Sequence, residues 1–584
     1  MALKIGGQVK RLNASELAYQ EFVEKHLKLN EPVVITGLMH EWRSCKDWVW
    51  ENGEPNLDFF STHFGKSRVQ VADCGQREFT DQKRIEMSVS EFISQWKGLS
   101  DESSCNINNV HDGTDRDLLY LKDWHFVKEY PEYVAYTTPL FFLDDWLNIY
   151  LDSYKMHGVP DENNDVQGIN CSDYRFVYMG SKGTWTPLHA DVFRSYSWSA
   201  NVCGKKLWYL LSPSQSHLLL DRNMKYSVYD IFGDISEKQF PGFKKTIWLE
   251  CTQSPNEVIF VPSGWYHQVK NLEDTISINH NWFNAYNLSW VWDLLVRDYI
   301  DTKQYIEDIR DISDDFEGLC QRNLAVNTGM NFLDFFIFIM RITLVNLTHM
   351  CSLAQKTRKL DRESLKRSKQ TVFNLISIRR VAANMESAEL FDRKNREKNS
   401  LENEWFLDFR KVSRHPWFLK LSMSLCRTNE MVDRFLKSSS DDCADCKSLD
   451  FSELGRGSGE PLDLDFLESA LAIHALEYNF LEREIEADTL DHGSLERETG
   501  ADTLRCSFKE RESNDDTLVR SILERVSEAD SLGSEPNCNG GNGQGHNYSI
   551  MGPGDLVRVI DCCLQWVGIV AKDCNMSLLS QVDC

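Results

Sequence analysis

In the stretch TPLHADVF, residues 186–193, His189 and Asp191 stand two apart just after a Thr-Pro turn. Alternate residues of a strand point the same way, so this imidazole and this carboxylate can aim at one point. A polar turn is the plain reading; a pair of metal ligands is the other. A third ligand must come from elsewhere, and the chain has 15 His. The stretch SPNEVIFVPSGWYHQV singles one out: a turn at Ser254–Asn256, an apolar strand at Val258–Val261, a second turn at Pro262–Gly264, then His267 opening the next strand beside Trp265 and Tyr266. Two neutral imidazoles and one carboxylate form the facial set that binds Fe(II) and leaves positions open. A structural zinc site takes a fourth protein ligand, and none is evident. Open positions on redox-active iron point to oxygen chemistry.

Iron oxygenases with this ligand set commonly use a 2-oxoacid, whose far carboxylate needs a cation inside the protein. SYSWSANVCGKKLW offers Lys205 and Lys206. If the stretch runs without a bulge, Trp198, Ala200, Val202, Gly204, Lys206 and Trp208 share one face, which is apolar except for Lys206. A lysine on an inward apolar face is costly unless an anion meets it; snorkelling to solvent is the alternative. Lys205 falls on the other face and is expected to be exposed. In TISINHNW, Thr275, Ser277, Asn279 and Asn281 form a polar face opposite Ile276, Ile278, His280 and Trp282. Alternation alone leaves open whether that face meets solvent or lines a cavity.

These residues need strands to hold them. From about Tyr174 to Trp282 short apolar runs alternate with Gly, Pro, Asn, Asp and Ser, the pattern of a β-sandwich or barrel. Before it, EPVVITGL, SRVQVAD and LLYLKDW read as strands, and SVSEFISQW opens a helix with Ser88 and Glu91 spaced as a capping box. After Leu288 the apolar spacing turns helical and stays so to about Leu436. The apolar run Phe332–Leu347 contains Asp334 and Arg341 and reads as a buried helix, too short and interrupted to span a bilayer. Trp185, Phe193, Tyr196 and Trp265 are aromatic candidates for a pocket wall, with simple packing as the plainer role.

The 584 residues exceed what one core usually supports. Net charge is -25, but 26 acidic and only 9 basic side chains fall between Ser440 and Glu535. The acidity therefore belongs mostly to one segment. No part is basic enough for a direct nucleic-acid footprint, and the Lys/Arg-rich run from Lys356 to Lys369 reads as a solvated helix face. The acidic segment carries a 14-residue repeat marked by Leu490, Leu504, Leu518 and Leu532. Its copies are poor in apolar residues and interrupted by Gly493, Gly500 and Gly533, which favours disorder over a coiled coil. The last stretch, PGDLVRVIDCCLQWVGIV, has an apolar helical face. Seventeen scattered Cys, a lone CxxC at Cys443 and Cys446, and no signal-peptide pattern lead us to expect an intracellular protein of cytoplasm or nucleus, without membrane attachment.

TPLHAD, GKKLW and VPSGWYHQVKNLEDTISINHNW resemble the catalytic core of JmjC-domain oxygenases, and the likeness runs from about Pro32 to Asn287. It implies an α+β fold: a cupin-type double-stranded β-helix (jelly-roll) core with N-terminal α/β elements and a C-terminal helical region. Expected boundaries are 1–130 for the N-terminal part, 131–288 for the core, 289–437 for the helices, 438–552 for the acidic repeats and 553–584 for a terminal helix. The resemblance implies that His189, Asp191 and His267 hold Fe(II), that Lys206 pairs with the distal carboxylate of 2-oxoglutarate, and that Tyr120, Thr186 and Asn279 contact the same cosubstrate. The family often has Thr where Asn279 stands. With O2, such enzymes decarboxylate 2-oxoglutarate to succinate and hydroxylate a substrate. The partner implied is a protein: a lysine of a translation termination (release) factor, or a histone tail, whose arginine or lysine is demethylated when the hydroxylated carbon is an N-methyl. HxD instead of HxE, with no zinc-finger reader in view, leans to hydroxylation by analogy. A non-catalytic cupin using its acidic repeats as an interaction platform is the reading from another class.

Overall fold

The computed structural model describes residues 2–105, 118–154, 173–356, 368–387 and 552–573, with a few positions between 418 and 428. The CxxC and the 14-residue repeats lie outside the described residues, as does most of the basic run. Two compact units are present: residues 1–148 with 172–283, and residues 149–171 with 284–584.

Among its described residues the first unit holds fourteen strands: β1 Ile5–Gln8, β2 Lys10–Asn13, β3 Val33–Thr36, β4 Arg68–Glu78, β5 Asp81–Ser88, β6 Leu119–Trp124, β7 Arg175–Gly180, β8 Trp185–His189, β9 Tyr196–Cys203, β10 Lys206–Leu211, β11 Trp248–Gln253, β12 Glu257–Val261, β13 Tyr266–Asn271 and β14 Thr275–Trp282. They form a five-stranded sheet in the order β1-β11-β10-β13-β8 and a nine-stranded sheet in the order β2-β3-β12-β9-β14-β7-β6-β4-β5. Strands β7 to β14 are dealt between the two sheets, so chain neighbours such as β8 and β9 lie in opposite layers. This is the jelly-roll route, and it brings residues distant in sequence onto facing walls. The β-branched run Val33–Ile35 is fully buried, as a strand covered on both faces must be.

Core aromatics pack on the outer side of the larger sheet. Trp198 stacks on Phe142 with ring centroids 5.6 Å apart and lies 4.0 Å from His280. Each such aromatic pair adds about 0.5–1.5 kcal/mol beyond its buried area. Here the expected parity fails. Trp198, Ala200 and Val202 belong to β9 and face this outer packing, whereas Lys206 and Trp208 belong to β10 in the other sheet. Gly204, at φ +69°, ends β9, and its Cβ-free approach to the Asp274 carbonyl lets the chain cross. The capping box is present: Glu91 accepts from Ser88 N–H at 2.7 Å while Ser88 Oγ accepts from Glu91 N–H at 3.2 Å, opening the helix Val89–Cys105.

The second unit is helical, with helices Leu288–Tyr305, Phe316–Thr328, Phe332–Lys356, Lys369–Glu386 and Pro553–Asp573 among its described residues. Asp315 caps the second by accepting from Gly318 N–H at 2.9 Å, and Gly329 ends it at φ +97°. The apolar run proves longer than expected: residues 332–350 have the length and composition to cross a bilayer, yet 72% of that window is buried within the protein. The terminal helix packs on Lys369–Glu386, tied by an Arg379–Asp561 ion pair.

Candidate metal centre

β8 pairs antiparallel with β13, and His189 stands directly opposite His267. Their rings lie 4.3 Å apart between centroids. Asp191 follows the end of β8, and donor atoms of His189, Asp191 and His267 all fall within 4.8 Å of one another. The chain then turns back toward β9 through Val192–Arg194, with Phe193 at φ +57° and Arg194 at φ +51°. Left-handed backbone at two side-chain-bearing residues costs about 1–3 kcal/mol each. Buried Phe193, edge-on to Tyr174 and Phe283, anchors that turn.

The donors fit a metal ion. Nδ1 of His189 lies 2.8 Å from the Pro187 carbonyl, and Nδ1 of His267 lies 3.1 Å from that of Trp265. Each Nδ1–H donating to its carbonyl leaves Nε2 with a bare lone pair. Burial first, and the adjacent His267 second, hold His189 well below its ordinary value, so its ring is neutral at pH 7. Asp191 Oδ2 accepts from Ser197 Oγ at 2.7 Å, which orients the carboxylate, and Oδ1 is 4.0 Å from His267 Nε2.

Deeper in the barrel, Lys206 is 2% exposed and pairs with no carboxylate among the described residues. Its ammonium donates to Ser277 Oγ at 2.6 Å and to Tyr120 Oη at 3.3 Å. Burial pushes its pKa down to about 7, the state of a cation waiting for an anion. Asn279 is half-buried and donates to the same Ser277 Oγ at 3.1 Å, so the polar face of β14 lines the interior. Thr186 is buried on β8, and its hydroxyl accepts from Val269 N–H at 3.3 Å. Lys205 points outward to Glu273. Gly180 is required beside this cluster: a Cβ there would lie 2.5 Å from the Tyr120 ring.

Of the four aromatics, Tyr196 donates to the Leu27 carbonyl and Trp265 to that of Asn30, so both are structural pins, and Phe193 is the turn anchor. Trp185 packs edge-on to Tyr229. One polar neighbour escaped the sequence reading: Ser197, which orients the Asp191 carboxylate. Ser277 was read as part of the polar face of β14, which alternation alone left open between solvent and cavity.

Comparison with known proteins agrees with this geometry. Residues 19–287 match the cupin-like domain family. Arginine-specific demethylase JMJ20 of Arabidopsis thaliana is 56% identical over 443 residues, which is 75% of this chain and 91% of that protein. The chain belongs to the cupin-like JmjC family. Within it, the protein called 2-oxoglutarate and iron-dependent oxygenase JMJD4 is 40% identical in Danio rerio over 56% of this chain and 73% of its own length. In Homo sapiens it is 36% identical over 55% and 72%. The jelly-roll core is thus a JmjC core, and His189, Asp191 and His267 converge within the segment matched by the family.

Proposed function

We propose that this JmjC protein is an Fe(II)- and 2-oxoglutarate-dependent oxygenase of protein side chains. The observation that carries the reading is the pairing of two things in one barrel: three convergent metal donors, and a buried ammonium that meets no counter-charge among the described residues. A non-catalytic interaction module has no use for Lys206 held at that cost. In this reading His189, Asp191 and His267 hold the iron. When bound, it supplies the redox chemistry that couples decarboxylation of 2-oxoglutarate to hydroxylation of a C–H bond. Lys206 and Tyr120 bind the distal carboxylate, with Ser277 orienting the ammonium and Asn279 fixing Ser277. Thr186 lines the same strand as His189. The barrel walls keep water out, which strengthens each charge interaction inside.

We infer a protein substrate with a cationic side chain, and we carry forward lysyl hydroxylation of a translation termination factor. Arginine demethylation is the second reading, favoured by the printed name of the 56% identical relative. The two share one step, insertion of oxygen at a C–H bond, and differ in whether that carbon is an N-methyl. Buried Cys74, Cys203 and Cys251 are unbridged thiols, which supports the expected reducing, intracellular setting.

Full-length protein with iron, ascorbate and 2-oxoglutarate is incubated with termination factor or methylated histone peptide, and intact mass is read. Gain of one oxygen supports hydroxylation and loss of a methylene supports demethylation. Asp191→Ala should lose bound iron and reduce product by roughly 10³-fold. Unchanged iron content and turnover in that variant would sink the oxygenase reading.

A further inference from the structure

His267 opens its strand just after the chain has crossed from one sheet to the other. β12 ends at Val261 in the nine-stranded sheet, and β13 begins at Tyr266 in the five-stranded one. The crossing turn, residues 262–265, belongs to neither strand, so the ladders do not fix it. Asn30, 233 residues before Ser263, clamps it. Its Oδ1 accepts from Ser263 N–H at 2.9 Å, and its Nδ2 donates to the Ser263 carbonyl at 2.9 Å. Its backbone carbonyl accepts from the Trp265 indole N–H at 2.8 Å. The Trp265 carbonyl in turn meets Nδ1 of His267 at 3.1 Å. The bond that sets the tautomer and rotation of this imidazole therefore comes from a turn that Asn30 holds at three points.

Asn30 is itself held. Its backbone is left-handed, at φ +56°, a conformation Asn adopts more readily than most residues with a side chain. Its N–H donates to the Leu27 carbonyl at 3.3 Å, which also accepts from Tyr196 Oη at 2.8 Å. Three residues on, Val33 pairs with Phe260 of β12, so the segment carrying the clamp is laced to the strand that enters the turn. Ser263 is fully buried, which strengthens the bonds made there.

We propose that Asn30 is a positioning residue for the metal ligand His267, acting through the turn at 262–265. The inference rests on the oxygenase reading only through its metal centre. Ser197 orients the Asp191 carboxylate from six residues away; Asn30 does the corresponding task for His267 from the N-terminal segment.

The test uses full-length protein and Co(II), whose ligand-field absorption reports donor geometry. Asn30→Gly keeps the left-handed backbone and the carbonyl that meets Trp265 but removes the amide. It should lower Co(II) affinity about 10- to 100-fold, the scale seen when an outer partner of a metal ligand is lost, and shift the absorption of the saturated site. Trp265→Phe keeps a ring but removes the indole donor, and should shift the same bands. It carries the test alone should Asn30→Gly fail to fold. Combined, the two should lose less than the product of their separate fold-losses, because both loosen one turn. Asn374→Ala, which breaks a buried hydrogen bond to Asn346 in the helical unit, is the control for lowered stability and should leave affinity and spectrum unchanged. The proposal is overturned if the Asn30 and Trp265 variants bind Co(II) with wild-type affinity and spectrum. It is also overturned if their losses multiply, or if Asn374→Ala weakens Co(II) as much. Wild type that takes up no Co(II) would bring down the metal centre and this proposal together. Wild type that binds metal but turns no 2-oxoglutarate into succinate would sink the oxygenase reading and leave the role of Asn30 standing.

Discussion

In the helical unit, buried Asn374 donates to Asn346 Oδ1 at 3.0 Å, Asn346 donates to the Ile342 carbonyl at 2.9 Å, and Gln370 donates to Asn374 at 3.0 Å. Each polar group there closes on another, and the network ties one helix to the next. Inside the barrel the same kind of burial is left open. His189 and His267 turn their Nδ1 atoms to backbone carbonyls and leave Nε2 free for a ligand, and among the described residues Lys206 finds only hydroxyls. Closed networks make architecture; open ones, held at a cost in stability, mark where a ligand completes the structure.

The contrast can be broken most sharply at Lys206. Lys206→Met should weaken 2-oxoglutarate about 100-fold, measured by calorimetry with Mn(II). The ligand-free protein should at the same time gain about 1–4 kcal/mol, seen as a higher midpoint of thermal unfolding, because no buried charge remains. A loss of stability instead would mean that Lys206 is part of a closed network after all. Next comes the carboxylate support. Ser197→Ala should lower metal affinity about 10- to 100-fold, checked by competition with a chelating dye, while leaving the fold intact.

A third test uses pH. Burial lowers the Lys206 pKa from 10.5 to about 7, and a bound carboxylate favours the charged form. Binding therefore takes up a proton above pH 7. Affinity for 2-oxoglutarate should be level below that pH and fall by up to about tenfold per unit above it. Lys206→Met should flatten the profile. The smallest effect on ligand affinity belongs to the closed network: Asn374→Ala should cost about 1–3 kcal/mol in denaturant unfolding and leave 2-oxoglutarate binding unchanged.

Much of the barrel was legible because strand ends and turns are local. TPLHAD and PSGWYHQ each announce a turn and a strand, and the capping box at Ser88 and Glu91 needs four residues only. Lys206 was legible by residue type, since a lysine among apolar neighbours is conspicuous. The route to it was not: alternation carried through Gly204 treated two strands in opposite sheets as one. Ser197 gains its role from a partner across a left-handed turn, Asp191. No spacing along one strand reports such pairings. The aromatics near the motif took the plainer role of packing, and Tyr196 and Trp265 are fixed by carbonyls of residues 27 and 30, far away in the chain.

The bare backbone at Gly180 sets how natural variation can act on this protein. Thr184 Oγ1 and the Tyr120 ring both crowd the place where a methyl group would grow, each at 2.5 Å. An alanine allele would push the phenol away from Lys206 without altering any group that binds or reacts. In a population or a mutational scan it would register as a partial-loss allele, rescued by a higher cellular supply of the diacid.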